Sequence, residues 1–256
     1  MSNNSLEFLA VTKSSDLWRY ISAVIMTVTS EGQFEARPKG IEFRSKSPEA
    51  FIDIAIPSAV FQQFYCPTLL KFGLRIAEFS KIIKRVDNNF PIEVCIQDRS
   101  IVITTFGAFF SCYKSNLIES SPSVSPLKGI AFDVTLVIRT ETLAAILDDI
   151  EIFSEDVTLK TTHEPDLVTT FSGISDRGSA AVAVMKNNGI ANIRQHTSMR
   201  ERCEGTYSLR LISDLLDSIG AASEYVQLEY SSGGTLRLKF LLLEYVTIHF
   251  YVAAHT

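Results

Sequence analysis

Cationic side chains that share one face of a helical stretch are the clearest chemical feature of this sequence. Lys81, Lys84 and Arg85 fall within Phe72 to Val86, whose apolar residues recur every three or four positions. On a helix this spacing places the three cations opposite a buried apolar stripe. Because ammonium and guanidinium groups neutralise phosphate, such a face can contact nucleic acid, but by itself it is more often an ordinary solvated helix surface.

Catalytic chemistry has little support in the residue pattern. The four histidines are scattered without the spacing of metal ligands, and the sequence contains no phosphate-binding glycine motif and no G-x-S-x-G motif. Two pairs of adjacent carboxylates, Asp148-Asp149 and Glu155-Asp156, point about 100° apart on a helix and have no companion acid or base. We therefore expect a protein that is not an enzyme and that uses no metal and no cofactor.

Composition restricts the class of protein. The 256 residues are 46% hydrophobic and 21% charged, which suffices for one large domain or for two of about 125 residues. A net charge of -5 argues against a surface that coats nucleic acid everywhere, so any DNA contact must come from a local basic patch.

Cysteine spacing and hydropathy indicate the compartment. The four cysteines are widely separated and form no C-x-x-C pair, which is typical of free thiols in a reducing compartment. No apolar run approaches the roughly eighteen residues of a membrane span, and the polar start, Met1 to Leu6, is unlike a signal peptide. We expect a soluble protein of the cell interior with no membrane contact.

Four segments have the apolar periodicity of an amphipathic helix. Ser14 or Ser15 is available to cap the first helix, and Gly220 ends the fourth. The predicted helices are Ser15 to Val28, Phe72 to Val86, Thr140 to Ile150 and Ser208 to Ile219.

The segments between these helices have the patterning of β-strands. Hairpin turns are predicted at Asn88-Asn89, Asp176 to Gly178 and Ser231 to Gly234. The order of helices and strands occurs twice, which indicates an internal duplication. The predicted strands are Gly40 to Arg44, Ala50 to Ile56, Pro91 to Ile96, Ser179 to Met185, Tyr225 to Tyr230 and Val246 to Val252.

A connector separates the two halves. Leu117 to Gly129 contains four serines and two prolines, which favour neither a sheet nor a helix. It also carries more apolar residues than a purely solvated linker needs. The predicted domains are therefore residues 1–116, a connector at 117–129, and residues 130–256.

Five stretches of the chain, in the same order, resemble those of the sliding clamp family, the proliferating cell nuclear antigen (PCNA) of archaea and eukaryotes. The helix phrase and the LIESS start of the connector look most like archaeal members. The stretches are GIEFRSKSPEAFIDIAIP (Gly40 to Pro57), FGLRIAEFSKIIKR (Phe72 to Arg85), FSGISDRG (Phe171 to Gly178), TYSLRLISDLL (Thr206 to Leu216) and HFYVAAHT (His249 to Thr256).

The resemblance implies an α+β fold with two similar clamp domains, each with two helices packed on antiparallel sheets. Three subunits would then assemble as a pseudo-six-fold ring whose helices line a central hole. It also implies a DNA sliding clamp and polymerase processivity factor, which encircles duplex DNA independently of sequence. Such a clamp tethers replication and repair enzymes in the cytoplasm, at the nucleoid, or in a nucleus if the cell has one.

The resemblance further implies three sets of site residues. The DNA-facing set is Arg19, Lys81, Lys84, Arg85 and Arg210. The subunit interface is expected at two sheet edges, Ala108 to Lys114 with Phe109 and Tyr113, and Ser179 to Met185 with Val182 and Val184. DNA polymerase, flap endonuclease, ligase and clamp loader would bind through PIP-box-like peptides. Their pocket would be formed by Ala50, Val124, Pro126, Leu127, Thr235, Tyr251, Ala253 and Ala254.

Several positions depart from the family pattern. Ala145 and Asp148 stand where arginine is frequent, and Asp217 stands where lysine is usual. In the pocket, Thr235 and Ala254 stand where proline is usual. The departures favour a divergent paralogue, so a homotrimer, one subunit of a mixed ring and a scaffold that does not encircle DNA all stay open.

Overall fold

The computed structural model describes residues 6–107, 109–119, 123–163, 166–186, 191–195 and 202–255. Four α-helices occur in these ranges, and none of them is long and apolar enough to cross a membrane. The helices are α1 (Asp16–Met26), α2 (Ile76–Ile83), α3 (Thr140–Glu151) and α4 (Leu209–Ile219).

Eighteen strands accompany the helices in the described part of the chain. The first nine are β1 (Phe8–Thr12), β2 (Glu31–Arg37), β3 (Gly40–Lys46), β4 (Ala50–Pro57), β5 (Gln63–Tyr65), β6 (Leu70–Arg75), β7 (Ile92–Gln97), β8 (Ser100–Phe106) and β9 (Phe110–Asn116). The second nine are β10 (Val134–Arg139), β11 (Asp156–Thr162), β12 (Val168–Ser175), β13 (Gly178–Met185), β14 (Ala191–Gln195), β15 (Arg202–Ser208), β16 (Tyr225–Tyr230), β17 (Leu236–Leu242) and β18 (Val246–Val252).

The chain divides into two compact units. Unit 1 contains Met1–Ser47, Ile52–Pro126 and Leu242–Thr247, and unit 2 contains Pro48–Phe51, Leu127–Leu241 and Ile248–Thr256. Along the chain, β1 to β9 with α1 and α2 follow the order of one strand, a helix, five strands, a helix and three strands. The elements from β10 to β18 with α3 and α4 follow the same order.

Strand order is duplicated as well. The first nine strands form a sheet in the order β5-β1-β7-β8-β9 and a run β4-β3-β2-β6. The second nine form a run β14-β10-β16-β17-β18 and a sheet β13-β12-β11-β15, so each strand has a counterpart at the same place. The pairings are antiparallel, as in β8 with β9 and β12 with β13. The predicted α+β fold of two similar domains, each with two helices and antiparallel sheets, is confirmed.

The helices of unit 1 pack through aromatic side chains. The ring of Trp18 on α1 lies 5.7 Å from that of Phe79 on α2, edge to face, and 5.9 Å from that of Phe61. Trp18 and Phe79 are 4% and 5% exposed. Because Phe79 and Ile83 point into the core, the opposite side of α2 faces solvent.

Two local predictions are wrong. The second helix begins at Ile76, not at Phe72, because Leu70–Arg75 pairs with β2 and buries Phe72 opposite Phe34. Asn88-Asn89 joins α2 to β7 and is not a hairpin turn.

The other predicted elements are confirmed within two residues at their ends, as expected for helix and strand termini. The turns at Asp176 to Gly178 and Ser231 to Gly234 do connect paired strands. The predicted domain bounds at 116, 117–129 and 130 stay a prediction.

Candidate nucleic-acid surface and partner site

The local structure of α2 favours cations at its carboxyl end. Ile76 follows β6 directly, and Arg75 at the N-cap makes no side-chain capping bond. Glu78 in the first turn and Lys81 in the last turn each have the charge that the helix dipole favours. The hydroxyl of Ser115 donates a hydrogen bond to Glu78 Oε2 at 3.4 Å. Local electrostatics therefore favour cations at the carboxyl end of α2.

Lys81, Lys84 and Arg85 form what we call the α2 cationic surface. All three side chains are exposed, and none of them forms an ion pair within the described residues. The backbone N–H of Lys84 donates to the Ser80 carbonyl at 2.9 Å, which continues the helical turn beyond Ile83. These charges are free to neutralise phosphates.

The two other predicted DNA-facing residues already have partners. Arg19 is half-buried, and its Nη2 donates a hydrogen bond to the Val86 carbonyl, which joins α1 to the chain after α2. Arg210 is 87% exposed at its side chain, and its Nε lies 3.6 Å from Asp214 Oδ2. Their contact with DNA, like that of the α2 cationic surface, stays a prediction.

The predicted interface residues lie on two sheet edges. β9 ends one sheet, and β13 ends another. Phe109 precedes β9 and is 83% exposed, whereas Tyr113 is half-buried. On β13, Val182 is half-buried and Val184 is only 5% exposed, since Val184 points into unit 2. The role of these four residues stays a prediction, and Ala108, the predicted start of the first edge, lies outside the described residues.

Tyr251 is the centre of a cluster in unit 2. Its ring lies 5.5 Å from that of Phe51, edge to face. The Arg237 guanidinium carbon lies 4.5 Å from the Phe132 ring centroid and 5.9 Å from that of Tyr251. Arg237 Nε also donates a hydrogen bond to Glu229 Oε2 at 2.6 Å. We call these five residues the Tyr251 cluster.

Burial, hydrogen bonds and neighbouring charges shift the pKa values of Arg237 and of the adjacent His249. Burial acts to lower the pKa of Arg237, but hydrogen bonds to Tyr251 and Glu229 outweigh it, so the pKa rises. Burial lowers the pKa of His249 below its ordinary value of 6.5, and Arg237 and Lys239 lower it further. The Tyr251 cluster therefore combines the buried rings of Phe51 and Tyr251 and the half-buried ring of Phe132 with an Arg237–Glu229 ion pair.

The remaining predicted pocket residues are spread over both units. In unit 2, Ala50 is buried, Leu127 and Ala253 are exposed, and Thr235 and Ala254 are half-buried. In unit 1, Val124 is half-buried and Pro126 is exposed. The pocket as a whole stays a prediction.

The C-terminal segment and the connector are held by backbone bonds inside their own units. In unit 2, the Ala253 N–H donates to the Glu49 carbonyl at 2.9 Å. In unit 1, the Ile118 N–H donates to the Gly73 carbonyl at 3.0 Å. A Cβ on residue 73 would lie 2.7 Å from the Ile118 side chain, so glycine permits this approach.

Polar contacts hold the connector further along. Lys71 Nζ donates to Ser123 Oγ at 2.6 Å and lies 3.2 Å from Glu35 Oε1. A hydrogen bond with Ser123 is the largest cause that lowers the pKa of Glu35. The connector is thus attached to the β2–β6 surface of unit 1 at Ile118 and at Ser123.

Sequence reasoning missed Phe132, Glu229 and Arg237. A signal was present, since Leu236, Leu238 and Phe240 alternate with Arg237 and Lys239, the period of a half-buried strand. That strand, β17, places Arg237 on the face opposite the buried leucines.

Comparison with known proteins adds to this geometry. No family model matches the chain. The DNA polymerase sliding clamp of Nitrosopumilus maritimus is 35% identical to it over 251 residues, which is 97% of this chain and 98% of the relative. The chain belongs to the DNA polymerase sliding clamp family.

Solved structures show the same clamp fold. PCNA from Thermococcus kodakaraensis superposes with a TM-score of 0.88 at 16% identity, covering 97% of this chain and all of that one. A structure of the C-terminal region of FEN-1 bound to A. fulgidus PCNA gives 0.85 at 14% identity, covering 97% of this chain and 98% of the other. The resemblance drawn from the sequence is confirmed.

Proposed function

We propose that this chain is a non-catalytic sliding clamp, which closes a ring around duplex DNA and tethers replication and repair enzymes. Family membership carries the proposal, and the duplicated units support it. The proposed setting is wherever the cell replicates its DNA, in the cytoplasm at the nucleoid or in a nucleus.

Ring closure rests on the two sheet edges. Within the described residues, β9 pairs only with β8, and β13 pairs only with β12, so each has one free row of backbone donors and acceptors. An edge that meets a different edge of the next copy forms a head-to-tail contact, which closes into a ring when the rotation permits. Three copies of the chain, each with two similar units, would give a ring of six similar units.

Contact with DNA rests on the α2 cationic surface. Lysine and arginine contacts to phosphate carry no sequence information and release counterions, so they allow a clamp to slide. Holding a polymerase on a clamp raises its effective concentration at the template without any chemistry by the clamp.

Partner binding rests on the Tyr251 cluster. A peptide that inserts aromatic or aliphatic anchors beside Tyr251 would bury them against the half-buried ring of Phe132. The relative solved with the C-terminal region of FEN-1 supports a peptide site of this kind on the fold. DNA polymerase, flap endonuclease, ligase and a clamp loader are the proposed partners.

Two measurements on the purified chain test the proposal. Light scattering should give three times the 28.5 kDa of the chain. The protein should be retained on circular duplex DNA after loading and should dissociate when the circle is cut. Equal retention on the cut circle would overturn encirclement, and a trimer formed only with another clamp chain would favour the mixed ring.

A charge reversal then tests the DNA-facing surface. Lys81→Glu with Lys84→Glu should abolish most polymerase stimulation and leave the trimer intact. Lys39→Glu with Arg99→Glu changes the charge equally at exposed positions outside the helices. If the control pair lowers stimulation as much, the α2 cationic surface is not what contacts DNA.

A further inference from the structure

The four helices carry opposite charge in the two units. In unit 2, α3 contains four carboxylates and no lysine or arginine, and α4 contains Arg210 with two aspartates, so the two helices sum to -5. The carboxylates are Glu141, Asp148, Asp149, Glu151, Asp214 and Asp217, and all of them are exposed.

In unit 1 the balance is reversed. The segment from Arg75 to Arg85 carries four cations and Glu78, a sum of +3, and α1 is neutral, with Asp16 and Arg19. Counted over the same extent, one residue before and two after each helix, unit 2 sums to -4 because Arg139 is included, so the helix surfaces of the two units differ by seven unit charges, +3 against -4.

Ion pairing does not change which unit is cationic, since Arg75 of unit 1 lies 3.7 Å from Glu31 and the partner of Arg210 in unit 2 is already in the sum. Arg210 has its guanidinium 3.6 Å from the Asp214 carboxylate, so the one cation of the α3 and α4 helices is partly neutralised. The α2 cationic surface has no ion pair within the described residues. Free cations are thus confined to unit 1, among the described helices.

Salt in the cell keeps these effects local. The Debye length is about 8 Å at physiological ionic strength, so a phosphate near α3 and α4 is repelled by their carboxylates and is attracted little by any cation beyond that distance. A phosphate near Lys81 or Lys84 is attracted in the same local way.

We infer that the duplex is held by the unit 1 helices alone, through the α2 cationic surface, and that the α3 and α4 surface of unit 2 repels its phosphates. This inference rests on the proposed function. Because only one unit of each subunit would attract the phosphates, the duplex would be held loosely. A sliding protein requires such loose contact.

A matched pair of alanine substitutions tests the inference. Lys84→Ala removes one exposed cation at the carboxyl end of α2, and Arg210→Ala removes one from α4. Affinity for a short duplex is measured by fluorescence anisotropy over a range of NaCl concentrations without divalent cations. Lys84→Ala should lower the slope of log affinity against log salt by about 0.9 for each phosphate that is no longer neutralised, a change of about twofold in affinity for each doubling of salt. Arg210→Ala should leave the slope unchanged.

A gain of function tests the repulsion. Asp148→Lys with Asp217→Lys should tighten duplex binding and raise the salt slope by about 0.9 for each additional phosphate neutralised. Asp166→Lys, an exposed position between β11 and β12, is the single-charge control and should change the slope little.

The outcomes distinguish a failure of the inference from a failure of the proposed function. If wild-type protein is retained on circular DNA but Arg210→Ala lowers the slope as much as Lys84→Ala, the inference is overturned and the clamp function stands. If Asp148→Lys with Asp217→Lys changes the salt slope as little as the Asp166→Lys control does, the inference is overturned as well. If wild-type protein neither binds the duplex nor is retained on the circle, the proposed function falls and the inference falls with it.

Discussion

Removal of the Phe79 ring should weaken the packing of α2 on α1 and destabilise unit 1. Phe79 is 5% exposed, and its ring meets that of Trp18 at 5.7 Å and 83°. Truncation of a buried phenylalanine to alanine costs about 3 to 5 kcal/mol, of which an aromatic pair contributes about 0.5 to 1.5 kcal/mol. Domain stabilities are about 5 to 15 kcal/mol, so Phe79→Ala removes a large share of the total.

The assay is urea unfolding followed by tryptophan emission. Trp18 is the one tryptophan of the chain, so its emission reports on this contact. With a denaturant slope of about 2 kcal/mol per molar urea, a destabilisation of about 4 kcal/mol lowers the midpoint by about 2 M. Phe79→Leu retains most of the volume and should lower the midpoint by less than about 0.75 M.

Lys81→Ala is the control for this prediction. It changes an exposed residue two positions along the same helix, and surface substitutions usually stay within about 0.5 kcal/mol. A midpoint shift below about 0.5 M for Phe79→Ala, or an equal shift for Lys81→Ala, would refute the claim that the Trp18 contact holds α2. Duplex binding should weaken in Phe79→Ala even though Lys81 and Lys84 remain, because the helix that presents them loosens.

Two further predictions concern the proposed surfaces. Tyr251→Ala should weaken binding of a PIP-box-like peptide at least tenfold, as measured by calorimetry, because it removes the ring that packs on Phe51. An unchanged affinity would exclude the Tyr251 cluster as the peptide site. Cys112 on β9 should be the first thiol to react with an alkylating reagent at pH 8, because it is exposed, whereas burial raises the pKa of Cys203 to about 11. Labelling of Cys112 should slow as the protein concentration rises. A labelling rate that does not depend on protein concentration would count against β9 as an interface strand. Cys112→Ser is the control.

Helix faces could be predicted from the sequence because they depend on spacing along one segment. The positions of Phe79, Ile83, Lys81 and Lys84 follow from 3.6 residues per turn, whatever the rest of the chain does. The order of elements, and with it the duplication, also follows from local patterning. Family membership was recognisable for the same reason, since short phrases in order preserve these local patterns.

Pairing between distant segments could not be predicted in the same way. Phe72 to Arg75 continue the helical periodicity of α2, but β2 offers a row of backbone partners and a buried place for Phe72. A local pattern cannot show that such a partner strand exists. Sheet pairing then outweighs the helical preference of four residues.

For this protein, the sequence determines where the cations lie, and the tertiary structure determines which of them are free. The sequence by itself determined which cations share a helix face, because that depends only on the helical repeat. The tertiary structure decided which of them are free: Val86 accepts a hydrogen bond from Arg19, and Lys81 and Lys84 have no ion pair within the described residues. It also placed Arg237 between aromatic rings from β18 and from the chain before β10. Such partners are close in space and distant in sequence, and only the folded chain brings them together.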